Sequence, residues 1–474
     1  LQKGGKKMVR QGKFLMVIIL FFLFGTVAFG QDKKIDTEQD KKLREEILSI
    51  YKSKGEEGLR GFVKDKKDTI SNKFIVDFAE SGVKERKAEW LKACEIMAEE
   101  KKDEKTLAEA YYQVSEYFRF IENYKKANLY LEKTLPIYIK LNDPSGQAKT
   151  YLSKGMIHYY TGNNSQAFEM YNKANRLFKK SGDIRGQGIV YWRMGAIYWL
   201  RANNSRAIEM YDKALSLFEK LGDKVNKGNL FFSIGLLYLQ TGEHDKAIEM
   251  CEKSLFILRN TGDIMGLGKA FFLKGEVNLM TGDYSKALEM FEEALSFFLQ
   301  SGYTSGQANV HRSKGVIYFN TGNNQKALES YDKALSLFEK AVNPLGQGNI
   351  YFSKGKIYSK IGYNSKALKF YKKALIFYEK VEDDVGQGNV YWRMGDICLQ
   401  TADILKALAF FERAMLLYKK AEEPIGQGKV YWGKGDIYLS IGESSRAIEM
   451  YDKALSFFKK AGDPIGEGHV YKSK

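Results

Sequence analysis

A glycine returns every 40 residues, at Gly155, Gly195, Gly235, Gly275, Gly315, Gly355, Gly395 and Gly435, and an alanine follows each by twelve, from Ala167 to Ala447. Ala127 carries the alanine series one unit upstream. A period held without insertion or deletion from residue 106 to residue 474 predicts a small supersecondary unit copied along the chain, each copy burying its apolar face against the next. The register gives nine full 40-residue units and the opening of a tenth. A chain of 474 residues also exceeds what one compact core serves.

Turn chemistry splits each unit into two helices. Asp143-Pro144, Asn343-Pro344, Glu423-Pro424 and Asp463-Pro464 mark the start of the first, helix A. An Asp or Asn there accepts free amide protons, and proline at the first helical position loses no needed donor. Helix A runs to a glycine such as Gly162, Gly242, Gly282, Gly322, Gly362 or Gly442, suited to a left-handed cap. Asn163, Asn203, Asp283 and Asn323 then cap helix B, which ends near Gly182, Gly222, Gly262, Gly302 or Gly462. In helix B, Ala207, Tyr211, Ala214, Leu215 and Phe218 form one apolar stripe. In helix A, Tyr191, Gly195 and Tyr198 do the same, and the glycine, costly by about 1 kcal/mol in a helix, predicts close approach of two backbones with the helix B alanines facing it. The fold class expected is all-α, a right-handed superhelical solenoid of antiparallel helix pairs.

Composition agrees. Five prolines, 44 glycines and 14% aromatic residues suit helices broken by turns and exclude a disordered chain. The formal charge of +17 is spread as one or two extra lysines per unit, a solvated face, so no nucleic acid is expected. Cys94, Cys251 and Cys398 stand far apart and read as small buried hydrophobes. His158, His244, His311 and His469 form no metal-ligand spacing, so no metal is expected.

Ahead of the repeats, Met8 to Gly30 follows the charged, apolar, small-residue order of a secretory signal, with Phe14 to Phe24 as its apolar run. Residues 1–30 are therefore expected to be a signal peptide; extended to Phe29, the run also allows an uncleaved anchor. Either way the remainder is expected to be exported, to a periplasmic or extracellular place, with no further membrane contact. Residues 31–105 show no repeat and no evident dense core, and 42–54 and 84–100 have helical spacing, which predicts a capping segment.

Tyr191, Gly195, Tyr198, Ala207, Tyr211 and Ala214 resemble, in order, the pattern of the tetratricopeptide repeat, and nearly every unit from 106 to 474 repeats them. The 40-residue unit resembles the long-helix variety found in kinesin light chains. The resemblance implies a protein-binding scaffold with helix A lining a concave face on which a peptide or helical segment lies. The residue three before the helix A glycine is Trp192, Phe232, Phe272, Phe352, Trp392 or Trp432, with Leu152 and Arg312 as exceptions. Three earlier stand Asn229, Asn309, Asn349 and Asn389, or Lys149, Lys269 and Lys429; one after the glycine come Glu276, Lys356, Asp396 and Asp436. One reading makes these aromatic anchors beside an amide rail that satisfies a bound backbone. The other has the aromatics pack between successive A helices and the amides serve locally. The carboxylate-clamp version of the family fits poorly, because its lysine place is aromatic here. Arg193, Arg312 and Arg393 are candidates for an acidic contact.

No catalytic residue and no cofactor is expected. Gly186-Gln187-Gly188 follows no strand and lacks the later glycine of a dinucleotide turn, so it reads as packing. Nor does any Ser or Cys recur with a histidine and an acid at fixed repeat positions. The Gly-Gln-Gly-containing unit also resembles the N-terminal arrays of bacterial caspase-like CHAT proteins, which leaves open a regulatory region whose protease domain would lie beyond residue 474.

Overall fold

Most A helices open where the chain supplies a side-chain cap, Thr304–Asn320 and Pro424–Ser440 being exceptions. In the computed structural model, Asp143 accepts from the amides of Ser145 and Gly146, Asn343 from Gly346 and Asp463 from Gly466, each followed by proline. Helix B opens alike on Asn203, Asp283 and Asn323, while Asn163 takes the cap position without a side-chain bond. The structure describes residues 38–474 apart from 86, 87, 121, 122, 162, 201, 202 and 342; the signal segment of residues 1–30 lies outside them.

The described residues form 22 helices and no strand, an all-α array of paired helices. From helix Glu104–Phe120 onward the helices alternate A and B, nearly all 17 or 18 residues long, as in Pro344–Lys360 with Asn364–Lys380. Contacts divide the described chain into two units, 38–233 and 234–474, the boundary falling inside helix Lys224–Thr241. Within each unit a helix packs on its chain neighbours, and helix A touches the next helix A, as Asp384–Gln400 does Pro424–Ser440.

The helix B stripe is the core of every pair. Ala207, Tyr211, Ala214 and Phe218 are buried, and so are their counterparts Ala407, Phe411, Ala414 and Tyr418. The helix A glycine makes room for the ring of that stripe as well as for the alanine. A Cβ on Gly195 would lie 2.5 Å from the Tyr211 ring and 3.2 Å from the backbone oxygen of Ala207. Gly315 has the same relation to Tyr331, Gly355 to Tyr371 and Gly435 to Tyr451. Gly235 tests the rule, because Cys251 stands at the ring position there and the nearest atom becomes Leu273. The Gly-Gln-Gly turn has a related purpose: Gly186 sits against Phe178 of the preceding helix B and Gly188 against Phe218 of the following one. The three glycines thread helix A between aromatic rings, which is why the motif recurs with the repeat. Its glutamine reaches back, Gln147 and Gln307 donating to the carbonyls of Tyr138 and Phe298.

Residues 38–101 depart from expectation by building a dense core, with Ile47, Leu59, Ile75, Phe78, Leu91, Ile96 and Met97 buried together. Ala110 and Val114 of helix Glu104–Phe120 belong to the same cluster, so the segment is joined to the array through its first helix. Composition hid this because the first helix, Glu38–Asp65, breaks at Gly55 (φ 66°) and changes its buried face there. Cys94, Cys251 and Cys398 are free and buried. No helix among the described residues is long and apolar enough to cross a membrane.

Candidate ligand lane on the A helices

Where the −3 residue of helix A, counted from the mid-helix glycine, is tryptophan, its indole reaches the next helix A. Trp192 is buried and its indole Nε1 donates to Ser233 Oγ at 2.9 Å. Trp392 donates to the carbonyl of Lys429 at 3.2 Å, and Trp432, half-buried, donates to Ser473 Oγ at 3.0 Å while stacking on His469. Phe232, Phe272 and Phe352 are buried, the last two against Phe291 and Tyr371. The three tryptophans thus sit in seams between repeats, while Phe272 and Phe352 pack on rings of helix B in their own pair. Sequence spacing left their depth open.

The amide rail is likewise divided by its neighbours. Tyr378 donates its hydroxyl to Asn349 Oδ1 at 2.8 Å and Tyr418 donates to Asn389 Oδ1 at 2.9 Å, each tyrosine lying 29 residues on. Glu109 takes the same bond from Tyr138 in the first pair. Asn229 donates Nδ2 to the carbonyl of Val225. Asn309 differs because the residue 29 on is Phe338, which has no hydroxyl. At 1% exposure, neither its amide oxygen nor its amide nitrogen has a partner among the described residues.

One turn further along the same helix, Arg312 replaces the usual aromatic. It is 2% exposed, and its Nε and Nη2 have no hydrogen-bond partner among the described residues. Burial pulls its pKa down to about 10, against the pull of Glu276, Tyr331 and Tyr378, so the cation persists at neutral pH. Glu276 on the preceding helix A is buried too; Ser313 donates to its Oε1, and its Oε2 has no partner among the described residues. The pair Glu116 and Ser153 repeats this geometry in the other unit, but there Arg119 closes a bidentate bond on the carboxylate. The place of Arg119 is Leu279 in the later repeat, and Arg312 does not close on Glu276 in its stead. The structure therefore brings together Asn309, Arg312 and Glu276 as a lane of buried groups with unused hydrogen-bonding capacity, which normally costs about 1–3 kcal/mol per group. Sequence comparison between units could have found it, since the missing partners Tyr and Arg are visible as Phe338 and Leu279.

Burial raises the Glu276 carboxyl from its ordinary 4.5 to about 7, with Ser313 and Arg312 pulling the other way. A carboxyl with a raised folded-state pKa holds a proton that the unfolded chain has released, so its contribution to stability falls as pH rises from about 4.5 to about 7. Glu276→Gln is expected to remove that slope, roughly 3 kcal/mol across the window. Urea midpoints of both proteins across that window measure it, and parallel curves would count against it.

Among the described residues no three His, Cys, Asp or Glu side chains gather as metal ligands. The family model described as tetratricopeptide repeat matches residues 146–220, 186–260, 228–300, 306–380 and 386–460. The chain belongs to the tetratricopeptide repeat family. The chain is also similar to solved structures, one of which carries a tetratricopeptide repeat sensor. A Rap protein complexed with Competence and Sporulation Factor is 14% identical, with 81% of this chain and 98% of that one covered, at a TM-score of 0.54. A signal transduction ATPase with a tetratricopeptide repeat sensor from Pyrococcus horikoshii is 13% identical over 92% of this chain and 72% of that one, at 0.53. The apo quorum sensor NprR from B. thuringiensis is 15% identical over 83% and 99%, at 0.50. At these identities the likeness is one of fold. No curated protein matches the sequence.

Proposed function

We propose that this tetratricopeptide repeat protein is a non-catalytic scaffold that captures a peptide or helical segment along its A helices, seated on Asn309 and Arg312. The observation that carries this reading is the lane's unused hydrogen-bonding capacity. An amide with both atoms unpartnered matches the N–H and C=O of one extended peptide unit, and a guanidinium with two free N–H groups matches a carboxylate. The Rap protein solved with a bound factor lends support at the level of fold. At 1–2% exposure the lane is not open surface, so a ligand enters by parting the seam between helices Thr304–Asn320 and Pro344–Lys360. Leaving polar groups unpaired in that seam lowers the cost of parting it. The order of residues 8–30 supports export, and the joined core of residues 38–101 supports a capping role.

Capture tests the reading. Cross-linking in the producing cell followed by recovery of the full chain is expected to yield one enriched partner segment. Asn309→Leu combined with Arg312→Leu should lower its recovery at least about tenfold, the loss of two such bonds, with helicity unchanged. Undiminished recovery by the folded double variant would defeat the assignment of the lane.

A further inference from the structure

The outward faces of the B helices follow a formula. A glutamate stands at 169, 209, 249, 289, 329 and 449, an acid at 212, 252, 292, 332, 412 and 452, and a serine at 216, 296, 336 and 456. The glutamate is used, because Glu249 and Glu449 each hold the lysine four residues on, Lys253 and Lys453, at 2.6 Å. The acid is used too: Asp332 pairs with Lys354, Glu412 with Lys434 and Asp452 with Lys474 on the next helix A.

Helices Asn364–Lys380 and Ile404–Lys420 break this formula together. Lys369 replaces the glutamate, so Lys373 meets a like charge one turn away instead of an ion-pair partner. Lys372 replaces the acid, and the lysine that would answer it on the next helix A is Met394. Ile376 and Leu416 replace the serine, and Leu405 stands where 205, 285 and 445 are serine. The first helix carries five lysines against Glu379, and the second Lys406, Arg413, Lys419 and Lys420 against Glu412, with Lys406 paired to Asp403 and Lys420 to Asp384. The new apolar side chains stand free: Leu405 is 82% exposed, Leu416 69% and Ile376 63%. Ile376 and Leu416 hold equivalent places in successive repeats, and Leu405 lies three turns from Leu416 on the same side of its helix, about 16 Å away. Ser365, Leu368, Lys369, Lys372, Lys373 and Ile376 line a shallow open depression along this flank.

We propose that the outer face of residues 364–420 is a docking surface for an anionic lipid bilayer. The charge is of the complementary sign. Projecting leucine and isoleucine ringed by lysine is the composition that seats a helix face at a headgroup boundary, where lysine stems lie along the apolar layer and their ammonium groups reach phosphates. Protein interfaces are poor in lysine and rich in arginine and aromatics, the opposite balance to this face. A nucleic-acid groove would have little use for three isolated aliphatic side chains. This contact lies beyond the amino-terminal one that the sequence suggests.

Flotation of the full chain with phosphatidylcholine vesicles, with and without phosphatidylglycerol, tests the proposal. Binding is expected to be at least about tenfold stronger with the anionic lipid, and to weaken as salt rises. Lys369→Glu with Lys372→Asp restores the residue types of the other repeats, so the variant folds, and it should lose at least about tenfold of that binding. Leu405→Ser with Leu416→Ser, also a restoration, should lose several-fold even at low salt. Equal binding to both vesicle types, undiminished binding by either variant, or capture of an acidic helical peptide or polynucleotide with vesicles left behind would each overturn it.

Discussion

Gly195→Val is expected to destabilise the chain by about 3 kcal/mol or more, and Gly195→Ala by a smaller amount of the same sign. The sign is the test, because helix propensity alone predicts the reverse: alanine gains about 1 kcal/mol over glycine in a helix interior. At position 195 the gain is outweighed. The new Cβ would meet the Tyr211 ring at 2.5 Å and the Ala207 carbonyl at 3.2 Å, and the carbonyl is part of a helix that cannot yield. Tyr211 is buried and packed as the ring of its own stripe, so swinging it away opens a void elsewhere. Tyr211→Leu should therefore rescue Gly195→Ala, the double variant losing less than the sum of the two. Urea midpoints, with hydrogen exchange to place the loss in the 184–220 pair, measure this, since an array need not unfold as one unit. Additive effects would show that the ring and the glycine do not share a site.

The period was legible because each pair presents the same packing problem and was given the same residues. Caps, helix lengths and the buried stripe of helix B follow from that repetition with little left to choose. The partner of the glycine was read only in part. Spacing assigns a residue to a face, and it assigned the alanine correctly, but which side chain leans across the gap depends on its direction from the backbone, and the longer Tyr211 fills it. The same ambiguity separates a groove from a seam: Trp192 and Trp392 give their indole protons to the neighbouring repeat. Asn349 and Asn389 looked equivalent to Asn309 because the tyrosines that occupy them lie 29 residues away, beyond any local pattern. Residues 38–101 showed helical spacing but no sign of a dense core, because that core is assembled once, from helices of different length and a break at Gly55.

Arg312→Phe is expected to raise stability by about 1–3 kcal/mol while lowering ligand capture. Phe272 and Phe352 fill this place in the flanking repeats, so a ring of that size is already accommodated there. The substitution exchanges a buried cation with two unpartnered N–H groups for a side chain that needs none. Its pH dependence identifies the cause. Arg312 favours the charged form of Glu276, so its removal lifts that carboxyl further above about 7 and leaves its anion less compensated. The gain should thus be largest below the wild-type titration, where Glu276 is neutral with or without the arginine. It should shrink as pH rises through about 7 and return when Glu276→Gln is added. Thermal midpoints of the three proteins at about pH 5.5 and about pH 8 decide the matter. A loss of stability at both pH values would mean that the guanidinium is satisfied within the fold, and the lane would then have no capacity left for a ligand.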